Sequence, residues 1–173
     1  MKLHVVAVAA FLLISATARA QSINDAQIAS IVVTANQVDI DAGELASKMA
    51  TNPEVKKFGA TMVADHTGVN KSAVALATRL KVTPEDNATS KALKAGGEKN
   101  VANLKTLKGA AFDKAYVDNE VAYHTQVLEA IDKTLVPNAK NDELKALIVK
   151  VRPAFVAHLE HAKSLQKTLA AAK

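Results

Sequence analysis

The sequence predicts an all-α fold of four long helices, with a long helical connection between the second and the third. Three observations predict it. Apolar residues make up 49% of the chain while aromatics are only 3% with no Trp, so Ala, Val and Leu must fill the core. That composition suits closely packed helices better than strands, which favour β-branched and aromatic residues. The apolar positions recur at three- and four-residue steps, and the long periodic segments are separated by cap residues and prolines.

The first twenty residues form a separate unit. Lys2 supplies positive charge, Val5 to Ala16 form an apolar run, and Ala18-Arg19-Ala20 resembles a small-residue cleavage site before Gln21. About twelve apolar residues are too few to cross a bilayer, which needs ~20. Residues 1–20 are therefore read as a cleavable secretion signal and 21–173 as one helical domain, in the periplasm or secreted, with outer-membrane association open. No later stretch reads as a membrane span, and no cysteine follows the leader to carry a lipid.

The first main helix runs from about Asp25 to Ala50, capped by Asn24 or Asp25, with the seam Ile28, Ile31, Ala35, Val38, Ala42, Leu45, Met49. Asn52, Pro53 and Glu54 open the second: a cap, a proline suited to the first turn, and an acid at the positive end of the helix dipole. Its face reads Val55, Phe58, Met62, His66, Val69, Ala73, Leu76, Leu80. Thr83-Pro84-Glu85-Asp86 repeats the cap-then-proline pattern and predicts a shorter helix, which Gly96-Gly97 should interrupt. A second short piece then aligns Val101, Leu104 and Leu107 before Gly109.

The third main helix begins near Ala110 and presents Phe112, Tyr116 or Val117, Val121, His124, Leu128, Ile131 and Leu135 until Pro137-Asn138. Asn141 with Asp142-Glu143 opens the fourth, whose seam is Leu144, Leu147, Val151, Phe155, His158, Ala162, Leu165, Leu169. Pro153 inside it should free the carbonyl of Val149 and kink the axis. Two helical hairpins joined by a long crossover give the ferritin-like four-helix arrangement rather than a simple up-down-up-down bundle.

Charge and residue usage exclude several functions. Subtracting Lys2 and Arg19 of the leader leaves 20 basic against 17 acidic residues, a net +3. The lysines are interspersed with acids and lack an aromatic platform, so nucleic-acid binding is a poor reading. Without Cys there are neither disulfides nor thiolate ligands.

The histidines carry the candidate chemistry. His66, His124 and His158 each sit in the apolar seam of a different main helix. At 1.5 Å per residue, about fourteen, fifteen and seventeen residues along their helices, they fall at one level in mid-bundle, and Asp39 is level with His66. Imidazole suits Zn, Cu, Fe and Ni, and facing helices converge side chains. His66, His124 and His158 are thus candidate ligands of one transition metal ion such as Zn or Cu. Asp39, Glu120 and His161 are weaker candidates, with Asp65 and Glu160 nearby. Asp39 reads as sitting beside the seam, and Tyr116 and Tyr123 as core aromatics. The competing reading is that each histidine fills a core slot and bonds a neighbour in a structural or stress-related protein. A metal-dependent enzyme is a third, and three seam histidines could also sense acid. No Ser-His-Asp spacing, phosphate loop or Cys nucleophile supplies another mechanism, so no catalytic residue is named.

Several blocks also carry a resemblance: Phe58-Gly-Ala-Thr-Met-Val-Ala-Asp65-His66-Thr67, Leu107-Lys-Gly-Ala-Ala-Phe112-Asp113-Lys-Ala-Tyr116-Val117, Tyr123-His124, and Pro153 five before His158-Leu159. Together they resemble the exported bacterial proteins of domain-of-unknown-function family 4142, described as ferritin-like and sometimes labelled outer-membrane proteins. The resemblance implies a helical bundle and export, and it matches His66, His124 and His158 to the family's pattern histidines. Asp39 stands where a Glu is more usual. Ferritin-like di-iron enzymes use Glu-x-x-His on two helices. Here Val63, Val121 and Phe155 stand three residues before the histidines, which favours a mononuclear His-rich site.

Overall fold

The computed structural model describes residues 23–171, so the predicted secretion signal at 1–20 lies outside the described residues. Those residues are helical, with no strand among them: α1 (Asp25–Met49), α2 (Pro53–Arg79), α3 (Ala88–Lys105), α4 (Gly109–Ala130), a π-helical turn (Ile131–Leu135), α5 (Val136–Asn138) and α6 (Asp142–Ala171). No helix among them is long and apolar enough to cross a membrane.

The caps act where the sequence placed them. Asn24 accepts from Gln27 N–H in a reciprocal capping box, and Asn52 accepts from the N–H groups of Glu54 and Val55 ahead of Pro53. Side chains from other helices then hold the ends in register. Asp113, 2% exposed, accepts from both N–H and hydroxyl of Thr51 and from Asn52 N–H, tying the start of α4 to the α1–α2 turn. Asp25 accepts from Lys140 N–H and Asn141 N–H, placing the start of α6 beside the start of α1. Arg79 pairs with Glu143, so α2 ends where α6 begins. It follows that α1 and α6 run one way and α2 and α4 the other. Around the core, α1 touches α2 and α4, and α6 touches the same two.

The connection between α2 and α4 departs from the sequence reading in two ways. Its helix starts at Ala88, capped by Asn87, and not at Thr83-Pro84: residues 83–86 are non-helical and tied to α1, where Glu85 N–H donates to the Ala26 carbonyl and Ser30 Oγ donates to Asp86. Asn87 then makes its own capping box. Nor do Gly96-Gly97 break the helix. A Cβ built on Gly97 would lie 2.6 Å from Val38 Cγ2, so the glycine lets α3 lie close along α1. One uninterrupted α3 therefore packs along the outer side of α1 and touches α4.

Gly109 takes φ +58°, a conformation open to glycine, where the chain turns into α4. The π turn precedes Pro137, whose ring would clash with the carbonyl four residues back, and Val136 N–H reaches Ile131 O instead. Helix α6 continues through Pro153. The carbonyl left free at Val149 belongs to a half-exposed residue, where water can serve it.

The core is layered. One apolar slab gathers Ala42, Ala46, Phe58, Met62, Phe112, Tyr116, Val117, Ala162 and Leu165. A second, at the other end, gathers Ile28, Ile31, Ala73, Leu76, Ile131, Leu135, Leu144 and Ile148. Between them lies a buried polar layer.

Candidate metal centre

The polar layer takes Asn36 and Asp39 from α1, His66 from α2, Glu120 and His124 from α4, and His158 from α6. All are between 0% and 7% exposed. The three imidazoles form a near-equilateral triangle, with ring centroids 5.7 Å apart for His66–His124, 5.3 Å for His66–His158 and 5.4 Å for His124–His158. Phe155 stands edge-on to His66 at 5.0 Å and closes the layer on the α6 side.

Hydrogen bonds on the outer side of each ring fix its protonation. Asn36 Nδ2 donates to the Val32 carbonyl at 2.7 Å, so its Oδ1 faces His66 and accepts from His66 Nδ1 at 2.7 Å. His124 Nδ1 lies 3.1 Å from the Glu120 backbone carbonyl, which can only accept. His158 Nε2 donates to Asp65 Oδ2 at 2.9 Å. Each neutral ring has one N–H, and in each it points outward. The remaining nitrogens, His66 Nε2, His124 Nε2 and His158 Nδ1, are bare lone pairs, buried and without hydrogen-bond partners.

These lone pairs converge with carboxylate oxygens. One potential ligand atom from each of His66, His124 and His158 lies within 4.8 Å of the others, and the same holds for Asp39, Glu120 and His124. Asp39 Oδ2 is 3.1 Å from His66 Nε2 and 3.6 Å from His124 Nε2. Ligand atoms on a tetrahedral zinc ion stand about 3.3 Å apart, given bonds of about 2.0–2.1 Å. Both oxygens of Asp39, Glu120 Oε2 and the Tyr116 hydroxyl are likewise buried without partners. Buried polar groups are rarely left so.

Without a cation, burial dominates the acid–base behaviour. It lowers His66 to about 3, helped by repulsion from His124 and His158, and it lowers His158 against the pull of Asp65. Burial and the nearby Glu120 raise Asp39 well above the usual carboxylate range, and burial raises Glu120 to about 7. Burial also raises the phenols of Tyr116 and Tyr123. Imidazole nitrogens beside carboxyls that burial pushes toward their neutral forms make a ligand set that a divalent cation can claim by displacing protons.

A family model described as a domain of unknown function, DUF4142, matches residues 13–165. The chain belongs to this family. The DUF4142 match spans every residue of the polar layer. No curated protein and no solved structure matches the chain.

The structure brings His66, His124, His158, Asp39 and Glu120 into one centre. Asp39 is not beside the seam at the edge of the core but 1% exposed inside it, facing His66 of α2 and His124 of α4, while Val38 beside it packs against Gly97 of α3. His161 is not in the centre: it is exposed and packs edge-on against Phe58 at 4.8 Å. Glu160 is also exposed, paired with Lys163. Tyr116 and Tyr123 are core aromatics, and Tyr123 donates to the Ala35 carbonyl at 2.8 Å. Asn36 is the participant that the sequence reading passed over. A lone Asn inside the apolar run from Ile28 to Ile40, one turn before Asp39, was the available signal.

Proposed function

We propose that this chain is an exported, ferritin-like bundle of the DUF4142 family that binds one divalent transition metal ion in mid-core. The ligands are His66 Nε2, His124 Nε2, His158 Nδ1 and Asp39 Oδ2, a set suited to Zn or Cu. The ferritin-like reading is supported by the antiparallel pairs α1–α2 and α4–α6 and by the long α3 connection. Export is supported by the sequence of residues 1–20.

One observation carries the metal reading. Three buried imidazole nitrogens and both oxygens of Asp39 have no hydrogen-bond partner, while every outward ring N–H is held by Asn36, Glu120 or Asp65. This is how protein groups around a metal site fix the tautomer and aim of its ligands. Charge counting argues for a single ion. One divalent cation balances the Asp39 and Glu120 carboxylates, whereas two would leave a net double positive charge in a dry layer. Glu120 then supplies charge and a spare acceptor beside the metal, with Tyr116 one turn away.

A metal-free reading also has an observation behind it. Burial raises Asp39 far enough for a protonated carboxyl to occupy the 3.1 Å gap to His66 Nε2. It leaves the lone pairs of His124 and His158 without a donor. Elemental analysis of the purified protein after loading with Zn or Cu and removal of loose metal decides between the two. About one equivalent per chain is expected, lost when His66, His124 and His158 are replaced together by Gln. Less than about a tenth of an equivalent in the wild type refutes the metal reading and leaves the proton-bonded core.

A further inference from the structure

A cation bound in a layer this deeply buried must pass through one of the four seams between the main helices. Three are closed at or near that level. Between α1 and α2 the backbones touch, since a Cβ built on Gly43 would lie 2.8 Å from the Gly59 carbonyl. On the α1–α4 side a cavity of about 370 Å³ opens between α3 and α4, but no residue of the polar layer lines it, and at its wall the Tyr123 hydroxyl straps α4 to the Ala35 carbonyl of α1. Between α4 and α6, Leu128, Phe155 and Leu159 form an apolar plug.

The fourth seam, between α2 and α6, is different. His158 is the most exposed of the three imidazoles, its side chain 9% accessible against 1% for His66 and 0% for His124. The outward nitrogens of His66 and His124 are held by a buried side chain and a backbone carbonyl. The outward nitrogen of His158 is held by Asp65, whose side chain is 49% exposed. His158 is therefore the one member of the triangle bonded at one nitrogen to a solvent-facing carboxylate and bare at the other toward the centre. His161, exposed on the same helix and packed against Phe58 of α2, lies on that seam one turn further along.

We propose that metal enters and leaves through the α2–α6 seam, where the Asp65 carboxylate, held beside the His158 ring, forms a transient outer cation site. The proposal rests on the metal reading of the inner centre. A divalent ion arriving from solvent meets the Asp65 carboxylate first. The ion then passes along the His158 ring, whose Nε2–H stays on Asp65, to the bare Nδ1 lone pair, which hands it to Asp39, His66 and His124. The hydrogen bond from His158 Nε2–H to Asp65 holds the ring behind the ion while Nδ1 completes the inner shell.

Stopped-flow loading of metal-free protein with cobalt(II), read by its visible absorption and paired with chelator-driven release, tests this. Asp65→Asn keeps an acceptor for His158 but removes the charge. It is expected to slow both loading and release by about tenfold or more while the dissociation constant stays within about threefold, because both directions share one barrier. Glu129→Gln, an exposed carboxylate on α4 paired with Lys133, is the control and should load like wild type. Two results overturn the port with the metal centre intact: Asp65→Asn loading within twofold of wild type, or its whole defect appearing as lost affinity with release unchanged or faster, which makes Asp65 a positioning residue only. A wild type that takes up no cobalt overturns the metal reading itself and the port with it.

Discussion

Replacing Asp39 by Asn separates a metal site from a hydrogen-bonded core. The two side chains are nearly isosteric, and the position is 1% exposed, so a large rearrangement has no room to hide. In metal-free protein burial and the neighbouring Glu120 hold Asp39 well above the usual carboxylate range, favouring its neutral form. A neutral carboxamide then substitutes for a neutral carboxyl, and the cost should stay near 1 kcal/mol. In the metal-bound protein the same change removes an anionic ligand 3.1 Å from His66 Nε2 and 3.6 Å from His124 Nε2. A loss of at least about 100-fold in affinity, roughly 2.7 kcal/mol, is expected. At a free metal concentration near 1,000 times the wild-type Kd, binding stabilises the fold by about 4.1 kcal/mol, and a 100-fold weaker site by only about 1.4. For a chain of this size that difference is about 5–11 °C in Tm. Paired thermal melts by circular dichroism, with Zn and with chelator, measure both effects. The reasoning is refuted if the chelated variant melts far below chelated wild type, or if the Zn-induced shift survives the substitution.

The neighbouring structure makes further predictions. Gly97→Ala places a Cβ 2.6 Å from Val38 and should cost about 1–3 kcal/mol, whereas Gly96→Ala meets open space and should gain about 0.5–1 kcal/mol from helix propensity, both read by urea denaturation. Asp113→Ala strips three donors of the α1–α2 turn of their common acceptor and should cost about 2–4 kcal/mol, with Asp113→Asn recovering part of it. The metal-free protein should also be acid-sensitive. With His66 at 6.5 unfolded and about 3 folded, the unfolded chain binds a proton the native one refuses, so stability falls as pH drops through that window, by at most about 5 kcal/mol. Glu120, at 4.5 unfolded and about 7 folded, acts oppositely: its contribution is full below 4.5 and fades as pH rises to 7. The two offset between pH 4.5 and 6.5, so urea midpoints should be nearly flat there and drop below 4.5. A midpoint that rises steadily down to pH 3 contradicts the assignment.

Much of this layout was legible in the sequence, and the departures have physical causes. Helix caps and prolines located the four main helices, and 1.5 Å per residue was enough to level His66, His124 and His158. Asp39 was undervalued because a single seam was drawn on α1, which suits a helix with one buried face. In the fold Val38 of that seam packs against Gly97 of α3, and the next position, Asp39, faces His66 of α2 and His124 of α4. Gly96-Gly97 read as a break because a glycine pair weakens an isolated helix. In the fold Gly97 instead permits close approach to Val38, a tertiary gain that local propensity does not contain. The start of α3 lies at Ala88 for a similar reason: Ala26 and Ser30 of α1 bond Glu85 and Asp86 ahead of the Asn87 cap. The tautomers of the three imidazoles were beyond sequence reading, since they depend on Asn36, a backbone carbonyl and Asp65 each lying on the outer side of a ring.

The most direct test of the central claim is X-ray absorption at the metal K-edge on Zn-loaded wild-type protein. Three imidazole nitrogens and one carboxylate oxygen at about 2.0–2.2 Å are predicted, with the outer-shell scattering of imidazole rings lost when His66, His124 and His158 are replaced together. A Zn spectrum without imidazole scattering, or one that the triple replacement leaves unchanged, contradicts the account.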